Sequence, residues 1–330
     1  MSGSAFSADA IRAAHADVPL EFRGTPQFES EVLGARAGGR IVVKVETLNP
    51  IRSFKGRGTW VAVSALVAAG RATPTRGVAT ITTGNFGQGV AYAARGHGLP
   101  AVIVLPKGAN PAKVATIRRL GARIVEVAQG ADGEAVLDQL AEREGLVVLR
   151  DGHDDRIAIG AGTMALEVTD AVDRGVLPAI DAAYVPIGDG SLIAGVGIWL
   201  RATSPATRVI GVQVDGAPAM ARSWRTGRVE VVPPLPSRAD GLASGTGNAD
   251  LLAILRDVVD DMVLVRESDL LAAQHEVLGA LGVAAEASGA ASWLAAREAA
   301  GGGATGRGAT SLVIVTGSNA WPTDFDPGAR

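Results

Sequence analysis

A chain of 330 residues with no cysteine carries neither a disulfide nor a thiolate nucleophile or metal ligand. Its formal net charge of -3, with no run of lysine or arginine, excludes an electrostatic footprint for nucleic acid, and no apolar stretch reaches the roughly 18 residues of a membrane span. Hydrophobic content of 47% with 20% charged residues fits a large core, and the length predicts two domains or one α/β unit split into lobes.

The N-terminal residues Met1 to Phe6 have no cationic region and no apolar core of signal-peptide length, so a cytoplasmic location is expected. Short β-branched runs follow at residues 41–45, 78–82, 101–105, 123–127, 146–149, 182–186, 208–214, 262–265 and 312–316. Helical patterns fill most gaps between them, at 59–69, 110–120, 133–144, 192–201 and 267–281. Strands alternating with helices predict βαβ units, and continuous apolar runs predict parallel strands covered on both faces. Loops are expected at the polar stretch 151–156 and from the Pro-rich run 232–236 to Gly247, and the stretch 301–308 reads as a flexible surface connection.

Four segments carry chemistry. The first is Asn49-Pro50-Ile51-Arg52-Ser53-Phe54-Lys55-Gly56-Arg57-Gly58. Its lysine reads equally well as a nucleophilic amine among small residues or as a solvated residue at a helix start. The second, Thr82-Thr83-Gly84-Asn85-Phe86-Gly87-Gln88-Gly89, leads from a strand into an alanine-rich helix. Such a loop offers backbone N–H groups to a carboxylate, although threonines here would also serve as a simple helix cap. The third, Gly188-Asp189-Gly190-Ser191-Leu192, also opens a helix and has the size of a phosphate cup. It lacks the Gly-Lys-Ser/Thr of a Walker motif and the acidic partner of a dinucleotide fingerprint, and Asp189 would have to point away from an anion. The fourth is a strand end, Thr316-Gly317-Ser318-Asn319.

In that order the segments resemble pyridoxal-phosphate enzymes of the tryptophan-synthase-β type (fold type II), in particular the serine/threonine dehydratase and serine racemase branch. Asn49 to Gly58 is similar to the Schiff-base lysine motif, Thr82 to Gly89 to the asparagine loop and Gly188 to Leu192 to the tetraglycine loop. Ala239-Asp240-Gly241-Leu242-Ala243, Ala285-Glu286-Ala287-Ser288-Gly289-Ala290 and Gly160-Ala161-Gly162-Thr163-Met164-Ala165-Leu166-Glu167 resemble further stretches of the branch.

The resemblance implies a fold of two open, twisted, mostly parallel sheets flanked by helices. The cofactor would lie in a cleft between a large domain (1–76 and 153–330) and a small one (77–152). It implies pyridoxal 5'-phosphate on Lys55, which also acts as the α-proton base. Asn85 would bond the ring oxygen, and Gly188, Asp189, Gly190, Ser191 and Leu192 would hold the phosphate. Thr316 would meet the pyridine nitrogen, Phe54 and Gly241 would cover the ring faces, and Glu286 would stand near the ring. Thr82, Thr83, Gly84 and Asn85 would take the substrate carboxylate, with Thr83 a candidate second catalytic group.

The implied reaction removes the β-hydroxyl and amino group of an amino acid such as L-threonine or L-serine. β-Replacement, racemisation and a non-catalytic binding protein are the alternatives. Arg52 stands where glycine is usual, so it is a candidate partner for an acidic or phosphorylated substrate, or a plain surface arginine. His153 is a candidate substrate contact, or an exposed loop histidine. Gln213 replaces a glutamate of the racemase metal site, so no metal is expected. A homodimer is the expected assembly, and isoleucine feedback is not expected because the chain ends soon after the last motif.

Overall fold

The computed structural model describes residues 6–82, 84–128, 130–301 and 308–326. The chain runs α1 (Ala8–Asp17), β1 (Gln27–Glu29), α2 (Glu31–Ala37), β2 (Arg40–Val45), α3 (Lys55–Ala68), β3 (Val78–Ile81), α4 (Asn85–Gly96) and β4 (Ala101–Pro106). It continues through α5 (Pro111–Arg119), β5 (Arg123–Val127), α6 (Gly133–Glu144), β6 (Val147–Val148), α7 (Asp155–Asp173), β7 (Ala182–Pro186) and α8 (Ser191–Thr203). The last elements are β8 (Arg208–Val214), α9 (Ala219–Thr226), α10 (Ala249–Val258), β9 (Asp261–Val265), α11 (Glu267–Leu281), α12 (Ala287–Gly301) and β10 (Thr310–Val315).

Two sheets form, one in the order β1-β2-β10-β7-β8-β9 and one in the order β5-β4-β3-β6. All pairings are parallel except β1 with β2. This is the mostly parallel α/β architecture expected from the strand–helix alternation. All of β10 is buried, and its alternate residues divide between two cores. Leu312 and Ile314 pack under α7 and α8, while Val313 and Val315 pack under α12. Hydrophobic residues on both faces explain why these strands read as unbroken apolar runs. The smaller sheet is likewise covered twice. Val78 and Ile103 pack with Val63 and Leu66 of α3 and Val90 of α4, and Ala79 and Val104 pack with Leu137 and Leu140 of α6.

Helix boundaries follow the caps. Asn110 accepts a hydrogen bond from Ala112 N, with Pro111 at the first helical position of α5. Asp154 accepts from Arg156 N, so α7 already begins at Asp155 and shortens the loop expected over 151–156. The expected loop over 301–308 lies mostly outside the described residues.

Helices α3, α7 and α8 touch backbone to backbone through glycines. A Cβ on Gly160 would stand 2.6 Å from Gly58 Cα, and one on Gly58 would stand 2.3 Å from Ile157 O. A Cβ on Gly195 would stand 2.0 Å from Ala158 O. Beside this contact lies a buried ionic group. The Arg57 guanidinium donates to Glu46 and Glu167, and Lys44 Nζ donates to Glu167 Oε2 at 2.5 Å. All four side chains are buried, so each charge depends on the others for compensation.

Candidate active site

A cavity of about 220 Å³ opens at the carboxyl ends of β3, β7 and β10, where open α/β sheets place their ligands. The lysine turn is built first. Asn49 Oδ1 accepts from Ile51 N and Ser53 N, both at 3.2 Å, and its amide donates to Glu46 O and Ser53 O. Phe54 N donates to Thr316 O at 3.0 Å, and Ser318 N donates to Arg52 O at 2.9 Å. These bonds fasten the start of α3 to the end of β10 and direct Lys55 into the cavity.

Lys55 Nζ donates to Asp151 Oδ2 at 2.5 Å and to Asp189 Oδ2 at 3.2 Å. Burial alone would lower the ammonium's pKa. The Asp151 and Asp189 carboxylates outweigh it and hold Lys55 above its ordinary value. Burial first, then the Asp189 charge, pushes the Asp151 carboxyl up to about 7. Burial acts on Asp189 in the same sense, but Lys55 and the Ser191 N–H keep it well below the carboxylate range.

Opposite Lys55, Asn85 Nδ2 donates to Glu286 Oε1 at 2.5 Å, and Asn85 Oδ1 accepts from Gln88 and Asn319 at 3.1 and 3.0 Å. Lys113 of α5 donates to both oxygens of Asp240 and stands 3.2 Å from Glu286 Oε2. Burial would lower Lys113, and Glu286 and Asp240 together raise it. Burial raises Glu286. Gly188 and Gly241 meet so closely that a Cβ on Gly188 would lie 2.2 Å from Gly241 O. The buried hydroxyls of Ser191 and Ser288 have no hydrogen-bond partner.

Among the residues singled out from the sequence, Phe54, Lys55, Thr82, Asn85, Gly188, Asp189, Gly190, Leu192, Gly241, Glu286 and Thr316 line this one cavity. Ser191 opens α8 at its edge. Gly84 N donates to Thr82 Oγ1, and a Cβ on Gly84 would lie 2.1 Å from Lys113 Cδ. Thr83 lies outside the described residues.

Three expectations change. Arg52 does not line the cavity. Its φ of 53° lies in the left-handed region, its side chain is exposed and only its backbone is engaged. A left-handed φ is the physical reason for glycine at this position. His153 is exposed too and bonds Asp250 of α10 through Nδ1 at 2.7 Å. Asp189 points inward rather than away, because Lys55 attracts Oδ2 while the Ser191 N–H at the start of α8 holds Oδ1 at 2.7 Å.

Asp240 and Ser288 lie in stretches that carry the resemblance and Asp151 in the expected loop over 151–156, yet none of them had a role; together with Lys113 all four line the cavity. Asp151 follows β6 at the carboxyl edge of the smaller sheet, a position that marks it as a candidate. Lys113 sits in a polar helix whose pattern gives no sign that a lysine there is buried.

The family described as "Pyridoxal-phosphate dependent enzyme" matches residues 18–317. The chain belongs to this family. Pyridoxal phosphate is its cofactor. The residues present fit that group. The cavity offers the half-buried Lys55 amine, an unpartnered hydroxyl where α8 begins, and the neutral Thr316 hydroxyl, which makes only a long 3.5 Å bond to Ser288 O. Asp189 is the one discordant member, since it shares the Ser191 N–H with any anion placed there.

The chain is 36% identical to an L-threonine ammonia-lyase of Thermotoga maritima over 263 residues, 79% of this chain and 63% of that protein's length. It is 33% identical to the serine racemase of Arabidopsis thaliana over 281 residues, 85% of this chain and 82% of the relative. The structure of maize serine racemase superposes with a TM-score of 0.88 at 30% identity, covering 98% of this chain and 95% of the other.

Proposed function

We propose that this pyridoxal-phosphate-dependent enzyme is an ammonia-lyase. It removes the β-hydroxyl and the amino group of a small hydroxy amino acid, L-serine or L-threonine, giving a 2-oxo acid and ammonia. The observation that carries the reading is Lys55 Nζ in the cavity, at the start of α3, between the asparagine loop and the Gly188 loop. The neutral Thr316 hydroxyl at the end of β10 supports elimination over transamination, which gains from a carboxylate at the ring nitrogen.

When bound, pyridoxal phosphate supplies an electron sink for the bond pair released at the substrate's Cα. Lys55 holds the cofactor's aldehyde carbon and takes the α-proton. Gly188, Gly190, Ser191 and Leu192 hold the phosphate, with the backbone of Asp189. Asn85 bonds the ring oxygen and Thr316 the ring nitrogen, while Phe54 and Gly241 cover the two faces and Glu286 flanks the edge through Asn85. Thr82, Thr83, Gly84 and Asn85 take the substrate carboxylate. The units 77–152 and the remainder act as the small and large lobes around this cavity.

Racemisation of serine is the second reading, supported by the likeness to two plant serine racemases. The two separate when the purified holoenzyme is given L-serine and L-threonine and both products are measured. Keto acid and ammonia in equal amounts support the lyase. D-serine without keto acid would favour the racemase, and neither product from any hydroxy amino acid would end the lyase reading.

A further inference from the structure

Two carboxylates face Lys55, and they are not equivalent. Asp189 is committed on both sides, with Oδ1 to Ser191 N and Oδ2 to Lys55. Asp151 is committed on one side only. Its Oδ2 lies 2.5 Å from Lys55 Nζ, while its buried Oδ1 has no hydrogen-bond partner. Asp151 lines the cavity and enters from the smaller sheet, at the end of β6. A carboxyl beside the atom that handles the α-proton also lies within reach of a substituent one carbon further along.

We propose that Asp151 is the general acid that protonates the departing β-hydroxyl while Lys55 handles the α-proton. This rests on the elimination reading. Lys55 takes the α-proton, and the Cα–H pair becomes the Cα=Cβ bond. The Cβ–O bond breaks with its electrons on oxygen, and the Asp151 proton completes a water molecule. Lys55 releases its extra proton when its nitrogen takes the cofactor back, and Asp151 takes up a proton from solvent, which a carboxyl near neutrality can do. Hydrolysis of the enamine product consumes one water and releases the 2-oxo acid and ammonia. A donor in this position needs to be protonated near neutral pH, which agrees with an Asp151 carboxyl raised to about 7. The charged groups facing Asp151 are Lys55 from α3 and Asp189 from the turn before α8.

The decisive comparison uses two substrates, L-serine and β-chloro-L-alanine, since chloride leaves without a proton. Asp151→Asn is expected to lower kcat on L-serine by roughly 100-fold or more, the usual range for a lost general acid. Its loss on β-chloro-L-alanine is expected to be at least tenfold smaller. Asp151→Glu keeps an acid and is expected to recover part of the L-serine activity. In wild type, kcat/KM for L-serine falls along an alkaline limb as the acid loses its proton, and that limb disappears in Asp151→Asn.

Difference infrared spectroscopy of the cofactor-free protein gives a reading independent of turnover: a carboxyl band titrating near neutrality in wild type and missing in Asp151→Asn. Equal losses on the two substrates, or an unchanged L-serine rate, would overturn the proposal. A wild-type enzyme that eliminates from neither substrate would remove the lyase reading itself, and this proposal with it.

Discussion

Lys113 Nζ donates to both carboxylate oxygens of Asp240, at 2.8 and 2.7 Å, and so ties α5 of the smaller sheet's layer to the turn at Asp240–Leu242. Glu286 stands 3.2 Å from the same amine. Lys113→Met leaves two acids beside the cavity without their cation. Unpairing a buried charge costs about 3–5 kcal/mol, and the partial exposure of Asp240 places the loss near the lower end. Urea unfolding at neutral pH measures it, with Lys113→Arg expected to lose less. A Lys113→Met protein as stable as wild type would show that the clasp contributes nothing.

The ionic group around Arg57 predicts an acid limb of stability. Burial would raise Glu167, but hydrogen bonding from His15 and the charges of Arg57 and Lys44 hold it far below its ordinary 4.5. A depressed carboxyl stabilises the fold above its unfolded pKa, and that contribution is lost as pH falls towards the folded one. Wild-type unfolding free energy is therefore expected to decline below about pH 4.5. Glu167→Gln should be less stable at pH 7 and show a shallower decline. Denaturation midpoints at pH 7, 4 and 3 test this, and parallel curves for the two proteins would contradict it.

Ser191 Oγ is buried without a partner at the start of α8. If it meets the cofactor's phosphate, Ser191→Ala removes a hydrogen bond to a charged group, worth about 1.5–3 kcal/mol. The dissociation constant for pyridoxal phosphate should rise roughly 10- to 100-fold. Absorbance titration of cofactor-free protein reads it directly. Borohydride reduction should still fix the cofactor on Lys55, and affinity unchanged from wild type would remove Ser191 from the phosphate site.

Arg52 is exposed and outside the cavity lining, so Arg52→Ala should leave L-serine turnover within about twofold. Turnover of 3-hydroxyaspartate should change by the same factor. A selective loss on the acidic substrate would restore Arg52 as a specificity residue.

A side chain at Gly160 would force α7 and α3 apart. Gly160→Ala places a methyl against Gly58 and is expected to destabilise by roughly 1–3 kcal/mol through overpacking. The same shift should move Lys55 and lower cofactor occupancy, seen as reduced visible absorbance per protein at fixed pyridoxal phosphate. A variant with wild-type melting temperature and full occupancy would show that the helix contact yields easily.

The sheets were legible because their strands are apolar on both faces, so residues 182–186 and 208–214 coincide with β7 and β8. β1 was missed because Gln27–Glu29 is short, mixed and half exposed at a sheet edge. Backbone-defined parts of the site were legible too, since glycine and asparagine loops follow strands that can be counted. What stayed hidden depends on side chains meeting across the fold. The 96-residue separation of Lys55 and Asp151, and the 127-residue separation of Lys113 and Asp240, carry no local pattern. Arg52 and His153 each left a surface and a substrate reading open, because a loop's position in sequence does not fix which way its side chains face.

The glycine contacts of α7 act as a gauge block. Gly160 fixes where the helix that begins at Lys55 lies, and the contacts of Ala158 and Gly162 with Gly195 fix where the helix that begins at Ser191 lies. The separation between the amine and the Ser191 end of the cavity is therefore set by one helix that touches each neighbour about one turn past its start. Any molecule bridging those two ends is measured for length before its chemistry matters. A longer or shorter analogue should be rejected by the scaffold even where every polar contact could form.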